Sequence, residues 1–256
     1  MRLNLDVETL RDVDTPGIDG VVSYEDLINN IKDIADRGHI DLVETLGDAV
    51  RFHKVGLELA MTDGFWPLID WLLAQDKKVF VDLKFFDIPA TVGRAVARLS
   101  QRGVQLCTVH GNQTMMQAAA QAKTGAMRVL AVTALTSLDR GDLDDLGFAC
   151  EVEALVASRA RRALEAGCDG IVSSGMEVAA LRAAGLGELV AVTPGIRPVD
   201  NDGGEGDQKR VLTPAAAIAA GSDHLVVGRP IRDAADPRAA AQAIQAEIRA
   251  AVEARA

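Results

Sequence analysis

Cysteine is scarce and poorly placed for pairing. The 256 residues hold three, Cys107, Cys150 and Cys168, an odd number with no CxxC spacing. Neither a zinc knuckle nor a redox dithiol is indicated, and buried free thiols in a reducing compartment are expected. The four histidines, His39, His53, His110 and His224, form no HxH or HExxH pattern, so the sequence offers no metal site. No run approaches the roughly 18 apolar residues that a membrane span needs. The opening MRLNLDVETLRD has acids and no apolar core, unlike a secretion signal, so a cytoplasmic protein is expected. Basic residues are in deficit, 27 Lys and Arg against 37 Asp and Glu, for a net charge of −10. That balance argues against nucleic acid as a partner. It leaves room for a small anion if cations converge at one site.

From residue 50 onward, short β-branched runs alternate with Ala-rich amphipathic stretches. Strands are predicted at Val50–Leu57, Lys78–Lys84, Leu106–His110, Arg128–Leu135, Gly170–Ser174, Leu189–Thr193 and His224–Gly228. Helices are predicted at Trp66–Gln75, Ala90–Arg102, Gln113–Lys123, Glu151–Ala166, Met176–Ala184 and Thr213–Ala220, with a last one from about Pro237 to Ala254. Runs such as KVFVDL and HLVVG read as strands buried on both faces, which implies a parallel sheet. Alternating strand and helix gives an α/β fold. Seven strands are visible, and an eighth would close a (β/α)8 TIM barrel, read as one domain over residues 1–256. A doubly wound open sheet is the alternative, weakened by the absence of GxGxxG after the first strand. Residues 1–49 look irregular or rebuilt. SYEDLINNIKDIADRG reads as a helix with Ser23 as N-cap and Gly38 just past its end. The eighth strand is either Arg2–Asp6 or a degenerate segment ending at Asp36.

The segment VFVDLKFFDIPATV, residues 79–92, carries the chemistry. Residues two apart on a strand face one side, so Asp82 and Lys84 point together while Val79, Val81 and Leu83 point away. Strand C-termini face the active site in such a barrel. The plainer readings are a buried ion pair for Asp82–Lys84 and a helix cap for Asp87 before Ile88-Pro89. Lys54, in FHKVG, is a second cation in an apolar strand, a snorkelling lysine if taken alone. Together the four charges read as an alternating array in which each ion keeps its neighbours ionised. VTPGIRP (192–198) enters a polar, Gly-rich loop (199–210) that should be mobile. HLVVGRP ends the last strand with Gly228 and Arg229. Phosphate binds at the loops after strands seven and eight of such barrels. There Gly228 admits an anion and Arg229 offers a bidentate fork. Arg229 and Arg197 could each instead serve a surface salt bridge.

FHKVGLEL, VDLKFFDIPATV, TVHG, AVTALTSL, DGIVSSG, VTPGIRP, GDQKR and HLVVGRPI resemble the orotidine 5'-phosphate decarboxylase family, in order over roughly residues 43–237. The resemblance implies a homodimeric carboxy-lyase of pyrimidine biosynthesis that converts orotidine 5'-phosphate to uridine 5'-phosphate (UMP) without metal or organic cofactor. It implies that Lys84 is the proton donor to C6 of the pyrimidine, that Asp82 sits against the leaving carboxylate, and that Lys54 orients Asp82 and contacts the ribose. Asp87 and Thr91 would reach into the partner subunit's site. Thr136 would contact the base, Gln208 would close over base and phosphate, and Arg197, Gly228 and Arg229 would bind the phosphate. One departure stands out. The family's first strand usually ends in an ALD-type motif whose Asp contacts the ribose. Here the equivalent spacing lands on Lys32, and Asp6 and Asp36 stand at other distances. A Mg²⁺-dependent sugar-phosphate decarboxylase or lyase of the same superfamily, and a non-catalytic nucleotide-binding barrel, are the alternatives.

Overall fold

The computed structural model describes residues 20–23, 35–198 and 211–255. Eight parallel strands form a closed barrel in sequence order. They are β1 (Gly20–Ser23), β2 (Phe52–Gly56), β3 (Lys78–Phe85), β4 (Leu106–His110), β5 (Arg128–Val132), β6 (Gly170–Val172), β7 (Val190–Thr193) and β8 (His224–Val227). Closure comes from β1, which pairs with β2 on one side and with β8 on the other. The outer ring runs α1 (Ala35–Leu46), α2 (Phe65–Ala74), α3 (Pro89–Ser100), α4 (Gln113–Ala122), α5 (Arg140–Asp145), α6 (Val152–Glu165), α7 (Gly175–Ala183), α8 (Pro214–Ala219), α9 (Arg229–Arg232) and α10 (Pro237–Arg255).

The first unit departs from the sequence reading. The eighth strand is neither Arg2–Asp6, which lies outside the described residues, nor a segment ending at Asp36, which falls in α1. Four residues, GVVS, supply it. Ser23 therefore ends a strand instead of capping a helix, and Gly38 lies inside α1, which continues to Leu46. Four β-compatible residues are too few to show a period of two, while the SYEDL… stretch has a helical period that hides where its helix begins. Two short helices were also missed. One of them, α5, starts with a reciprocal capping box between Asp139 and Asp142, a signal present in the sequence LDRGD.

The parallel strands are buried on both faces, and the two faces form two apolar layers. Phe52, Phe80, Leu106, Leu130, Val190, Val192 and Val226 fill the barrel interior. Val55, Val79, Val81, Cys107, Val109, Ala131, Ile171 and Leu225 turn outward to meet the helices. This is the period of two that separates Asp82 from its apolar neighbours. At the N-terminal face, the residue before a strand ties down the strand preceding it. Gln105 Oε1 accepts from Val79 N–H at 2.5 Å, Asp169 Oδ2 from Val129 N–H at 2.8 Å, and Asp223 Oδ2 from Ala191 N–H at 2.7 Å. Lys123 neutralises Asp169, and Arg182 neutralises Asp223. Among the described residues no helix is long and apolar enough to cross a membrane.

Candidate active site

The C-terminal ends of the strands surround a cavity of about 250 Å³. Lys54, Asp82 and Lys84 line it from β2 and β3, Thr136 from the loop after β5, and Arg197, Gly228 and Arg229 from the ends of β7 and β8. Phe80, Val132, Val172 and Val226 give it apolar walls. In an eight-stranded ring β3 and β7 stand opposite each other, so the Asp82–Lys84 pair faces the Arg197 side across the mouth.

Asp82 is the centre of the charge cluster. Its Oδ2 is 3.2 Å from Lys54 Nζ and 3.0 Å from Lys84 Nζ. Lys54 stands level with Phe80, one inward position below, and its side chain climbs to the carboxylate. The side chains of Lys54 and Asp82 are 5% and 11% exposed, that of Lys84 35%, so only the second lysine opens broadly to the cavity. Burial alone would push the Asp82 carboxyl up. Lys54 and Lys84, and then the Thr108 hydroxyl, outweigh it and hold the pKa down at about 2. The Asp82 carboxylate is therefore ionised at neutral pH.

The backbone beneath Lys84 is unusual. Val81 pairs with Cys107 and Phe85 with Val109, so three residues of β3 oppose one residue of β4, Thr108. Lys84 takes φ 48°, a left-handed conformation disfavoured for a side chain with Cβ by about 1–2 kcal/mol. Its N–H donates to Thr108 Oγ1 at 2.9 Å, and that hydroxyl donates to Asp82 Oδ1 at 2.8 Å. The sequence reading placed Asp82 and Lys84 on one face but missed the bulge and missed Thr108. The available signal was its inward position in LCTVH, two residues after Leu106, which lines the barrel interior.

Asp87 is exposed and stands apart from this cluster. Its Oδ1 accepts from Ile88 N–H at 2.6 Å, and among the described residues it forms no ion pair. It lies just before the N-cap of α3, which is Ile88. Thr91, in the first turn of α3, does not line the cavity; its Oγ1 accepts from Arg94 at 3.2 Å. Phe86 and Ile88 on either side of Asp87 are each 66% exposed, and Leu57 and Met61 after β2 are exposed as well.

The far end of the cavity is built by the TPGIRP turn. Gly195 adopts φ 79°, and Ile196 bridges to Leu212 beyond the 199–210 segment. Leu212 N–H donates to Gly195 O at 3.1 Å, and Arg197 N–H to Leu212 O at 3.0 Å. Gly228 is the N-cap of α9, which opens with Arg229-Pro230. Gln208 lies outside the described residues, as do Lys32 and Asp6. Cys107 and Cys168 are buried, and burial pushes both thiols up to about 12, so they stay protonated. Cys150 is only half-buried, which corrects the expectation of three buried thiols.

A family model described as orotidine 5'-phosphate decarboxylase / HUMPS family matches residues 5–244. A relative from Methylococcus capsulatus, an orotidine 5'-phosphate decarboxylase, is 65% identical over 208 residues, 81% of this chain and 85% of that one. Another from Xanthomonas oryzae pv. oryzae is 52% identical over 213 residues, 82% of this chain and 86% of its own length. Among solved structures, the orotidine 5'-phosphate decarboxylase of Lactobacillus acidophilus superposes with a TM-score of 0.75 at 32% identity, covering 90% of this chain and 98% of that one.

Proposed function

The chain belongs to the orotidine 5'-phosphate decarboxylase family, and from that premise we propose how its barrel mouth removes CO2 from orotidine 5'-phosphate to give UMP, a reaction of pyrimidine biosynthesis. The observation that carries the proposal is one carboxylate held between two ammonium groups, in a cavity whose opposite rim carries two arginines. A pyrimidine nucleotide spans such a site with its base at the ion cluster and its phosphate at Arg197, Gly228 and Arg229.

In the reaction the bond between C6 and the carboxyl carbon breaks, CO2 leaves, and the electron pair stays on C6 in the ring plane. No π system delocalises that pair well, so the site must meet it with positive charge. Lys84 Nζ is the group we assign to this task. Its charge stabilises the pair as it forms, and its proton then completes the C6–H bond of UMP, leaving a neutral amine for solvent to recharge. Asp82 pairs with the Lys84 ammonium and keeps it aimed. It also sets negative charge beside the substrate carboxylate, an unfavourable contact that vanishes with CO2. Lys54, the more deeply buried ammonium, holds Asp82 from below and contacts the ribose. Thr136 meets the base, and Gln208 closes over base and phosphate. Binding energy at the phosphate end is available to hold the closed form although it touches no reacting atom.

Asp87 and Thr91 are assigned to a second copy's site. The support is the exposure of Asp87 between Phe86 and Ile88, an apolar rim beside the cavity that a like chain would cover. The homodimer so formed would complete each ion cluster with the partner's Asp87. The residues present need no metal or organic cofactor for these steps.

The direct test follows the loss of orotidine 5'-phosphate absorbance with purified protein, with and without EDTA. Turnover unaffected by the chelator is expected, with Lys84→Ala reducing kcat by at least about 10³-fold while remaining folded. Near-normal turnover by that variant would remove Lys84 from the mechanism.

A further inference from the structure

We infer that Thr108 is a positioning residue for the decarboxylation, its one hydroxyl locking the Asp82 carboxylate and the Lys84 backbone into a single arrangement. The inference rests on the reading of Asp82 and Lys84 given above. Thr108 is fully buried and does not line the cavity, so it acts on substrate only through those two residues.

The geometry divides the work between the two carboxylate oxygens. Thr108 Oγ1 has one proton, and it goes to Asp82 Oδ1 at 2.8 Å. Oδ2 is thereby left to both ammoniums, at 3.0 and 3.2 Å. With one oxygen pinned from β4, the carboxylate cannot rotate to give each lysine its own oxygen. Both positive charges stay gathered on the oxygen that Lys84 shares.

The same hydroxyl accepts the Lys84 N–H at 2.9 Å. That donor sits inside the stretch of β3 where three residues oppose one, so the regular ladder gives it no carbonyl. A left-handed Lys84 backbone persists only if its surroundings over-determine it. The hydroxyl of a β-branched residue, stiff about χ1, is suited to hold it. Valine has the same shape and neither function. Serine keeps both functions.

The experiment compares the parent protein, Thr108→Val, Thr108→Ser and Lys84→Ala as folded proteins, measuring kcat and KM for orotidine 5'-phosphate and Kd for UMP. The expected result for T108V is a kcat lower by about 10- to 100-fold, from one unpaired buried acceptor and donor, with KM and the UMP affinity within about three-fold of parent. T108S should recover most of that loss. If T108V does not fold, T108A removes the same hydroxyl and carries the same expectation. Parent-like kcat in the hydroxyl-free variant would overturn the inference, and so would a loss of UMP affinity matching the loss of turnover. Failure of the functional reading looks different: the parent protein itself would not turn over orotidine 5'-phosphate, or K84A would match it.

Discussion

Asp82 and His53 sit on neighbouring strands, face opposite ways and both make the fold less stable in acid, in different pH windows. Asp82 has its pKa depressed to about 2 from an ordinary 3.8. The unfolded chain binds that proton more readily, so the stabilisation by its ion pairs is complete above about pH 4 and is lost only as pH falls through about 2. His53, buried on β2, has its pKa held down at about 3 from 6.5, by burial first and then by Lys77. The unfolded chain takes up this proton near pH 6.5 and the folded one does not until about 3. Stability therefore rises with pH across that window. Urea midpoints should fall steadily from pH 7 to pH 4.5, and His53→Asn should remove part of that slope; an unchanged slope would assign the acid lability to other groups. The charged residues of the site were readable because a lysine or aspartate in an apolar strand is costly unless paired. Thr108 was not, because threonine is ordinary in strands and its role exists only through a bulge in the pairing of β3 with β4.

At the scale of elements, stability and chemistry occupy opposite ends of the barrel. Arg182 of α7 joins the base of β7 to the base of β8, donating to Leu189 O at 2.7 Å, to Gly221 O at 2.9 Å and to Asp223 Oδ2 at 2.7 Å. Arg182→Ala takes the guanidinium away from the Leu189 and Gly221 carbonyls and leaves Asp223 Oδ2 with its bond from Ala191 N–H but no cation, and should cost about 2–3 kcal/mol of stability. Because the residue is on the face away from the cavity, kcat of the folded variant should stay at the parent value. Chemical denaturation and steady-state assays on one preparation check both halves. Seven of the eight strands were legible from their apolar runs, since two-sided burial leaves a continuous hydrophobic signal. The first was not, since GVVS is short and follows a turn-rich segment. The helices around it were legible by period but not by boundary, as Gly38 inside α1 illustrates: glycine often marks a helix end but is tolerated within one.

At the scale of the whole molecule, the ring closure on β1 brings the ends of β2, β3, β5, β7 and β8 around one cavity, although their residues span positions 54 to 230 of the chain. The order of motifs along the sequence contained this arrangement only through the fold rule that strand C-termini share a face. The proposed second copy comes from the resemblance, because no local pattern in FFDIPAT separates an exposed rim from a covered one. The most direct test of the account is a crystal structure of the protein with bound UMP. The account predicts the base over the Lys54–Asp82–Lys84 cluster, C6 within about 3–3.5 Å of Lys84 Nζ, and the phosphate on Arg197 and Arg229, with the partner's Asp87 closing the cluster. A nucleotide seated with its phosphate at the lysines, or with C6 remote from Lys84, would contradict it.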